Sequence, residues 1–235
     1  MSLLTDVLTY LNIDFDEEMT EKISDFYQLL VEKNKVMNLT SITEYDDFVI
    51  RHLCDSLLSC KIHGYNNEFL IDVGTGAGFP GIPLKIFFPS LEIILLDSLN
   101  KRLLFLDEVI EKLDLKNIHT VHGRAEDLGK DPLYREKFDL VVSRAVASLN
   151  VLSELTVPFA KKDGKVIYYK SSDIDDELAS SLKAFDVLGG SIPSVFDVPL
   201  FETGIIRKFV VIDKLSSTPK MYPRKAGTPS KNPLI

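Results

Sequence analysis

The spacing of apolar residues changes character near residue 65. Before it the period is helical: Ile23, Phe26, Tyr27, Leu30 and Val31 recur at threes and fours, and Phe48, Leu53, Leu57 and Leu58 predict a further helix. After it, short apolar runs read as strands at 69–73, 92–97, 117–122, 138–143, 164–170 and 205–213. Helical stretches lie between them. One is 101–113, where Leu103, Leu104, Leu106, Val109, Ile110 and Leu113 make a broad apolar face, and another is 173–188. This alternation predicts an α/β fold, a mostly parallel twisted sheet flanked by helices. The chain divides accordingly into an N-terminal helical extension (1–64), a core (65–213) and a C-terminal segment (214–235). Ligands of such sheets sit at the carboxyl ends of the strands, where Gly74, Asp97, residues 123–126 and Ser143–Arg144 would gather.

The loop after the first strand holds Gly74, Gly76, Gly78 and Gly81 within eight positions. Read from Gly76 it is a formal GxGxxG, a weak signal alone. The dinucleotide fingerprint, however, needs its first glycine directly after the strand; counted from Gly74, its last position falls on Phe79. Pro80 and Pro83 also lack the N–H groups that a pyrophosphate would use. No GK[ST] follows, which excludes a P-loop.

Composition narrows the class further. The 235 residues suffice for one large domain with an extension, and 45% are hydrophobic against 26% charged, the balance of a soluble protein. The first residues lack a basic start to an apolar run, and no stretch approaches the roughly 18 apolar residues of a membrane span, so a cytoplasmic protein with no membrane association is expected. Cys54 and Cys60 form no CxxC and there are four histidines, so neither disulfide nor metal site is expected. The net charge of −8 disfavours nucleic acid, yet Lys214, Lys220, Arg224, Lys225 and Lys231 stand in a final segment with no acid and four prolines. That segment cannot be a regular helix or central strand; it is either a solvated tail or a basic arm for a phosphate backbone.

Asp72, the three glycines to Gly78, and the acid Asp97 ending the second strand resemble the S-adenosylmethionine site of Rossmann-like methyltransferases. Such a ligand has ribose hydroxyls for Asp97, an ammonium that Asp72 can help hold, and no phosphate. Six ordered motifs, DVGTGAGFPGIPL, LLDSLNKRLLFL, GRAEDL, SRAVASL, NKVMNLTSIT with HLCDSL, and YPRKAGTPSKNPL, resemble the bacterial small-subunit (16S) ribosomal RNA guanine-N7 methyltransferases, from about Asn34 to the end. The resemblance implies methyl transfer from S-adenosylmethionine to N7 of a guanine, with small-subunit ribosomal RNA or the small ribosomal subunit as partner. It also implies cofactor contacts at Gly74, Phe79, Ala125, Glu126 and Arg144, to which the loop adds Gly76 and Gly78. Asp97 matches only as the acid after the second strand.

N7 carries an exposed lone pair, so no general base is expected, and Arg144 is the candidate for positioning. Candidates for gripping RNA are Arg51, His52, Lys101, Arg102, Arg124, Lys170, and Arg224 and Lys225 of the tail. His52 reads equally as a hydrogen-bonded core histidine, and Asn34 and Asn38 as helix terminators. Two rival classes remain open, a nicotinamide-dependent oxidoreductase and a non-catalytic RNA-binding assembly factor with a vestigial pocket.

Overall fold

A computed structural model describes residues 2–144, 147–171 and 174–234. Two helices come first, α1 (Leu3–Leu11) and α2 (Glu17–Met37). Asp16 caps α2 by accepting from Met19 N–H at 2.8 Å, and Asn38 ends it in the left-handed conformation. The helix expected around Phe48–Leu58 is irregular: α3 (Tyr45–Phe48) runs through a π-helical stretch, Val49–Cys54, into α4 (Asp55–Leu57) and a 3-10 turn. The rest alternates β1 (Phe69–Val73), α5 (Gly81–Phe87), β2 (Glu92–Asp97), α6 (Asn100–Lys112), β3 (Ile118–His122), α7 (Ala125–Leu128), β4 (Phe138–Arg144), α8 (Leu149–Thr156) and β5 (Ala160–Lys170). There follow α9 (Asp175–Ala179), α10 (Leu182–Val187), β6 (Ser194–Pro199), β7 (Ile206–Asp213) and α11 (Thr228–Lys231).

The seven strands lie in the order β3-β2-β1-β4-β5-β7-β6. β1 to β5 are parallel, and β7 inserts antiparallel between β5 and β6. Strand order reverses between β1 and β4, and a crevice opens there at their carboxyl ends. Alternate residues feed opposite faces. Leu70, Ile93, Leu95, Leu140, Val142 and Ile167 join the core beneath α1, α2, α5 and α6; Ile71, Val73, Ile94, Leu96, Val141 and Val166 join the one beneath α8 and α10. The N-terminal helices thus share a core with the sheet: Phe26 of α2 packs on Phe79 of the glycine loop with ring centroids 5.3 Å apart.

Three local expectations need correction. β6 escapes the sequence reading because it is an edge strand with one buried residue, Val198, and exposed Val195 and Phe196 between prolines. The helix expected over 173–188 breaks at Ser180 and Ser181, whose hydroxyls both donate to Glu177 O and so compete with the helical ladder; Asp173 itself lies outside the described residues. The basic tail is docked. Lys214 is buried, donating to Val157 O (3.0 Å) and Thr218 Oγ1 (2.6 Å), and burial pushes its ammonium down to about 8. Arg135 holds the carbonyls of Thr218 (2.6 Å) and Tyr222 (2.7 Å). Arg224 closes a forked pair on the fully buried Glu154, at 3.0 Å from Nε and 2.7 Å from Nη2.

A buried carboxylate left without its cation is costly. Arg224→Ala should therefore lower stability by about 3 kcal/mol, read as a fall in the urea midpoint at unchanged slope.

Candidate active site

At the crevice between the strand ends lies a cleft of about 530 Å³. Gly74 and Gly76 on its wall stand at φ of 77° and 62°, a region closed to most side chains. Gly76 N–H donates to Asp97 Oδ2 (3.0 Å) and Leu99 N–H to Oδ1 (2.8 Å), so the acid ending β2 staples two loops together. Arg102 Nη1 lies 3.3 Å from the same Oδ2. Three donors leave the carboxylate about one further acceptor site, enough for a ligand hydroxyl. Ala125 and Glu126 at the start of α7 form the far wall, where Glu126 accepts from Gly227 N–H (2.8 Å) and so fastens the tail, whose Ser230 also lines the cleft.

Asp72 and Gly78 are not on this wall. Asp72 is fully buried beneath the loop, with Oδ2 accepting from Gly81 N–H at 3.0 Å, and burial pushes its carboxyl up to about 7. Its expected contact with a ligand ammonium gives way to a structural one. It occupies the N–H that opens α5, so the helix start is already served from within and a pyrophosphate has no amide to claim there. Gly81 has no room for a Cβ, which would stand 2.3 Å from Leu95. Gly78 is pressed between Ile82 and Leu106.

Arg144, at the end of β4, is held from several sides. Its Nη1 donates to Asp55 Oδ2 (3.0 Å), its Nη2 lies 3.3 Å from His52 Nδ1, and its guanidinium carbon stands 5.1 Å from the centroid of the Phe79 ring. The His52 ring stacks on Phe79 at 4.4 Å. Arginine only donates, so Nδ1 of His52 carries the lone pair and Nε2 the proton, directed to Thr40 Oγ1 at 2.7 Å. Asn34 fixes Thr40 in turn: its Nδ2 donates to Thr40 O (2.8 Å) and its Oδ1 accepts from Thr40 N–H (2.9 Å). Burial, then Arg144, pushes the His52 imidazole down to about 3. A second cavity of about 340 Å³ adjoins the cleft, and the two share His52 and Arg144.

The remaining candidates separate. Arg124 and Arg102 line the cleft, whereas Arg51 and Lys170 line the second cavity. Arg51 pairs with Asp47 (3.1 Å) and Lys170 with Glu177 (2.6 Å). Lys101 and Lys225 are exposed and line neither space, and Arg224 is committed to Glu154. Ala145 and Val146 of the SRAVASL motif lie outside the described residues. Asp55, Arg207, Thr40, Tyr169 and Ser230 were not singled out by sequence. Asp55 and Thr40 stand inside HLCDSL and NKVMNLTSIT, a signal that was available, whereas nothing local distinguishes Arg207 on β7.

The cleft suits S-adenosylmethionine: Asp97 retains an acceptor for a ribose hydroxyl, and the amide start of α5 is closed to phosphate. The profile of the rRNA small subunit methyltransferase G family (GidB) matches residues 19–198. The chain is 49% identical to the ribosomal RNA small subunit methyltransferase G of Acetivibrio thermocellus, over 99% of this chain and 96% of that one. The chain belongs to this family.

Another family relative, from Brevibacillus brevis, is 46% identical over 98% of this chain and 97% of its own. Outside the family the likeness is one of fold. A predicted O-methyltransferase from Agrobacterium tumefaciens superimposes with a TM-score of 0.55 at 14% identity, covering 70% of this chain and 82% of that one. TrmN from Thermus thermophilus gives 0.53 at 17% identity, covering 69% and 48%. Among the described residues no helix is long and apolar enough to cross a membrane.

His52 and Asp72 carry opposite pH dependences. The His52 imidazole is depressed when folded, so its contribution to stability is present above about pH 6.5 and is lost as pH falls towards 3. The Asp72 carboxyl is raised, so its contribution is present below its ordinary value of 3.8 and is lost as pH rises through about 7. Urea midpoints against pH should show a flatter acid limb in His52→Gln, and in Asp72→Asn a smaller loss between about pH 4 and 7.

Proposed function

We propose that the protein transfers a methyl group from S-adenosylmethionine to N7 of a guanine in small-subunit ribosomal RNA. Family membership supports the donor and the RNA. The observation that carries the atom is the chemistry at the junction of the two spaces, where His52 and Arg144 stand. Methylating a ring carbon through a covalent intermediate calls for a nucleophile such as a thiolate, and a protonated oxygen or amine must lose its proton. His52 has both nitrogens engaged and is pushed down to about 3, a poor proton acceptor. The neighbouring Asp55 carboxylate is paired with both Arg144 and Arg207, which suits it to accepting a hydrogen bond better than to taking a proton. The Cys54 thiol is buried, pushed up to about 12, and lines neither space.

Guanine N7 needs neither service. Its lone pair forms the N–C bond to the sulfonium methyl while the C–S bond breaks, the electron pair staying on sulfur. No proton moves, and the positive charge passes to the purine. What the protein must supply is alignment. In this reading Gly74, Gly76, Phe79, Asp97, Ala125 and Glu126 hold the cofactor, Asp97 accepting from a ribose hydroxyl. Arg144 positions the base, and Arg51, Arg124 and Lys170 meet phosphates. A nicotinamide dinucleotide is disfavoured by the occupied Gly81 N–H.

Asp97→Asn keeps the side chain's outline but leaves one acceptor oxygen where two serve Gly76 and Leu99. With the charged acceptor gone it should weaken S-adenosylmethionine binding by about 2 kcal/mol or more in calorimetry, with folding checked by circular dichroism. The reaction is tested by tritiated methyl transfer into small-subunit RNA and small subunits from a strain lacking the protein. Borohydride and aniline should then cut the product chain, because the cationic ring of 7-methylguanosine is labile. Label without cleavage would assign the methyl to another atom.

A further inference from the structure

The second cavity sets one carboxylate among four cationic side chains. Arg51, Arg144, Lys170 and Arg207 line it, Arg51 paired with Asp47 and Lys170 with Glu177, together with Tyr169 and Phe209, both buried. Asp55 is the one carboxylate among the described residues that line it. Asp55 is 7% exposed, with Oδ1 accepting from Arg207 Nε (2.6 Å) and Oδ2 from Arg144 Nη1 (3.0 Å). Each oxygen has two lone pairs, so one acceptor site remains on each. Arg51 and Lys170 can meet flanking phosphates, but Asp55 would repel a phosphate set between Arg144 and Arg207, so that part of the cavity calls for a ligand that donates.

Guanine resolves the contradiction. Its N7 and O6 lie on one side, and both are acceptors; N1–H and the 2-amino group lie on the other, and both are donors. N7 must face the cleft that holds the methyl donor, which turns N1–H and the amino group into the second cavity. We infer that Asp55 accepts from N1–H and the 2-amino group of the target guanine, one oxygen to each, while Arg144, at the boundary, serves O6. The inference rests on the reaction proposed above. Adenine would set its N1 lone pair against the carboxylate, so the same contact selects the base. It also acts on the rate. Methylation puts positive charge on the purine and makes N1–H a stronger donor, so its bond to the carboxylate tightens as the new N–C bond forms. The two arginines keep the charge tolerable in the free protein.

The test compares two small-subunit RNAs, made by splinted ligation, with guanosine or inosine at the methylated position. Inosine keeps N7, O6 and N1–H and lacks the 2-amino group. The wild-type protein should show kcat/KM about 10- to 100-fold lower on inosine, the worth of a hydrogen bond to a charged group. Asp55→Asn, checked for folding by its thermal stabilisation with S-adenosylmethionine, should be slow on guanosine and should have lost most of the preference. Arg207→Met, which leaves Asp55 its bond from Arg144, should keep it. Equal wild-type rates on the two RNAs overturn the inference, and need no variant to fold; so does an Asp55→Asn protein that retains the full preference. Absence of 7-methylguanosine from the wild-type product on the guanosine RNA would instead overturn the proposed reaction.

Discussion

A guanidinium at the end of a buried parallel strand has to find its partners in the crevice or lose more in desolvation than it gains. Arg144 finds them upstream of the sheet, in Asp55 and His52, with Phe79 of the first loop beneath. This requirement explains why the residues before β1 are so closely tied to it. Asn34 fixes Thr40, Thr40 accepts from His52 Nε2–H, and His52 presents to Arg144 the lone pair that an arginine donor requires. The chain of contacts runs from α2, through the π-helical turn that carries His52, to β4. His52 and Asp55, three residues apart across the end of that turn, both reach the same cation.

Much of the architecture was legible because it rests on period alone. Strands buried on both faces read as runs of Val, Ile and Leu, and the glycine loop, with acids at Asp72 and Asp97, marks the strand ends whatever the rest of the chain does. The edge strand β6 left no such trace, since a strand that buries one side chain has little hydrophobic signal to give. The two serines that interrupt the helix after β5 act through hydroxyl contacts to Glu177 O, which hydropathy does not register.

Within the site, residue type was a better guide than orientation. Asp97 and Arg144 both line the cleft, and each is also committed to protein partners. Asp72 reads like a ligand-facing acid, yet lies beneath its loop, because a carboxyl near the end of a buried strand can as well serve the start of the next helix as meet a ligand. Arg224 reads as a free cation and is half of a buried pair. Arg207 carried no local signal at all: its meaning comes from β7 running antiparallel beside β5, a pairing between distant residues.

The walls of the cleft are drawn from almost the whole chain. Leu39 and Thr40 stand on one side and Ser230 on another, with the loops after β1, β2 and β3 and the end of β4 between them. No contiguous fragment contains the cleft, so it cannot form early from local contacts during folding; it closes when the most distant segments dock, the slow part of any fold with such long-range pairing. Partial opening at either extremity, the tail leaving Glu126 and Glu154 or the helices leaving Phe79, would dissolve the cleft while the central sheet persisted. Ligand retention in this protein is therefore a measure of global integrity, and a bound ligand acts as a clasp on both ends at once.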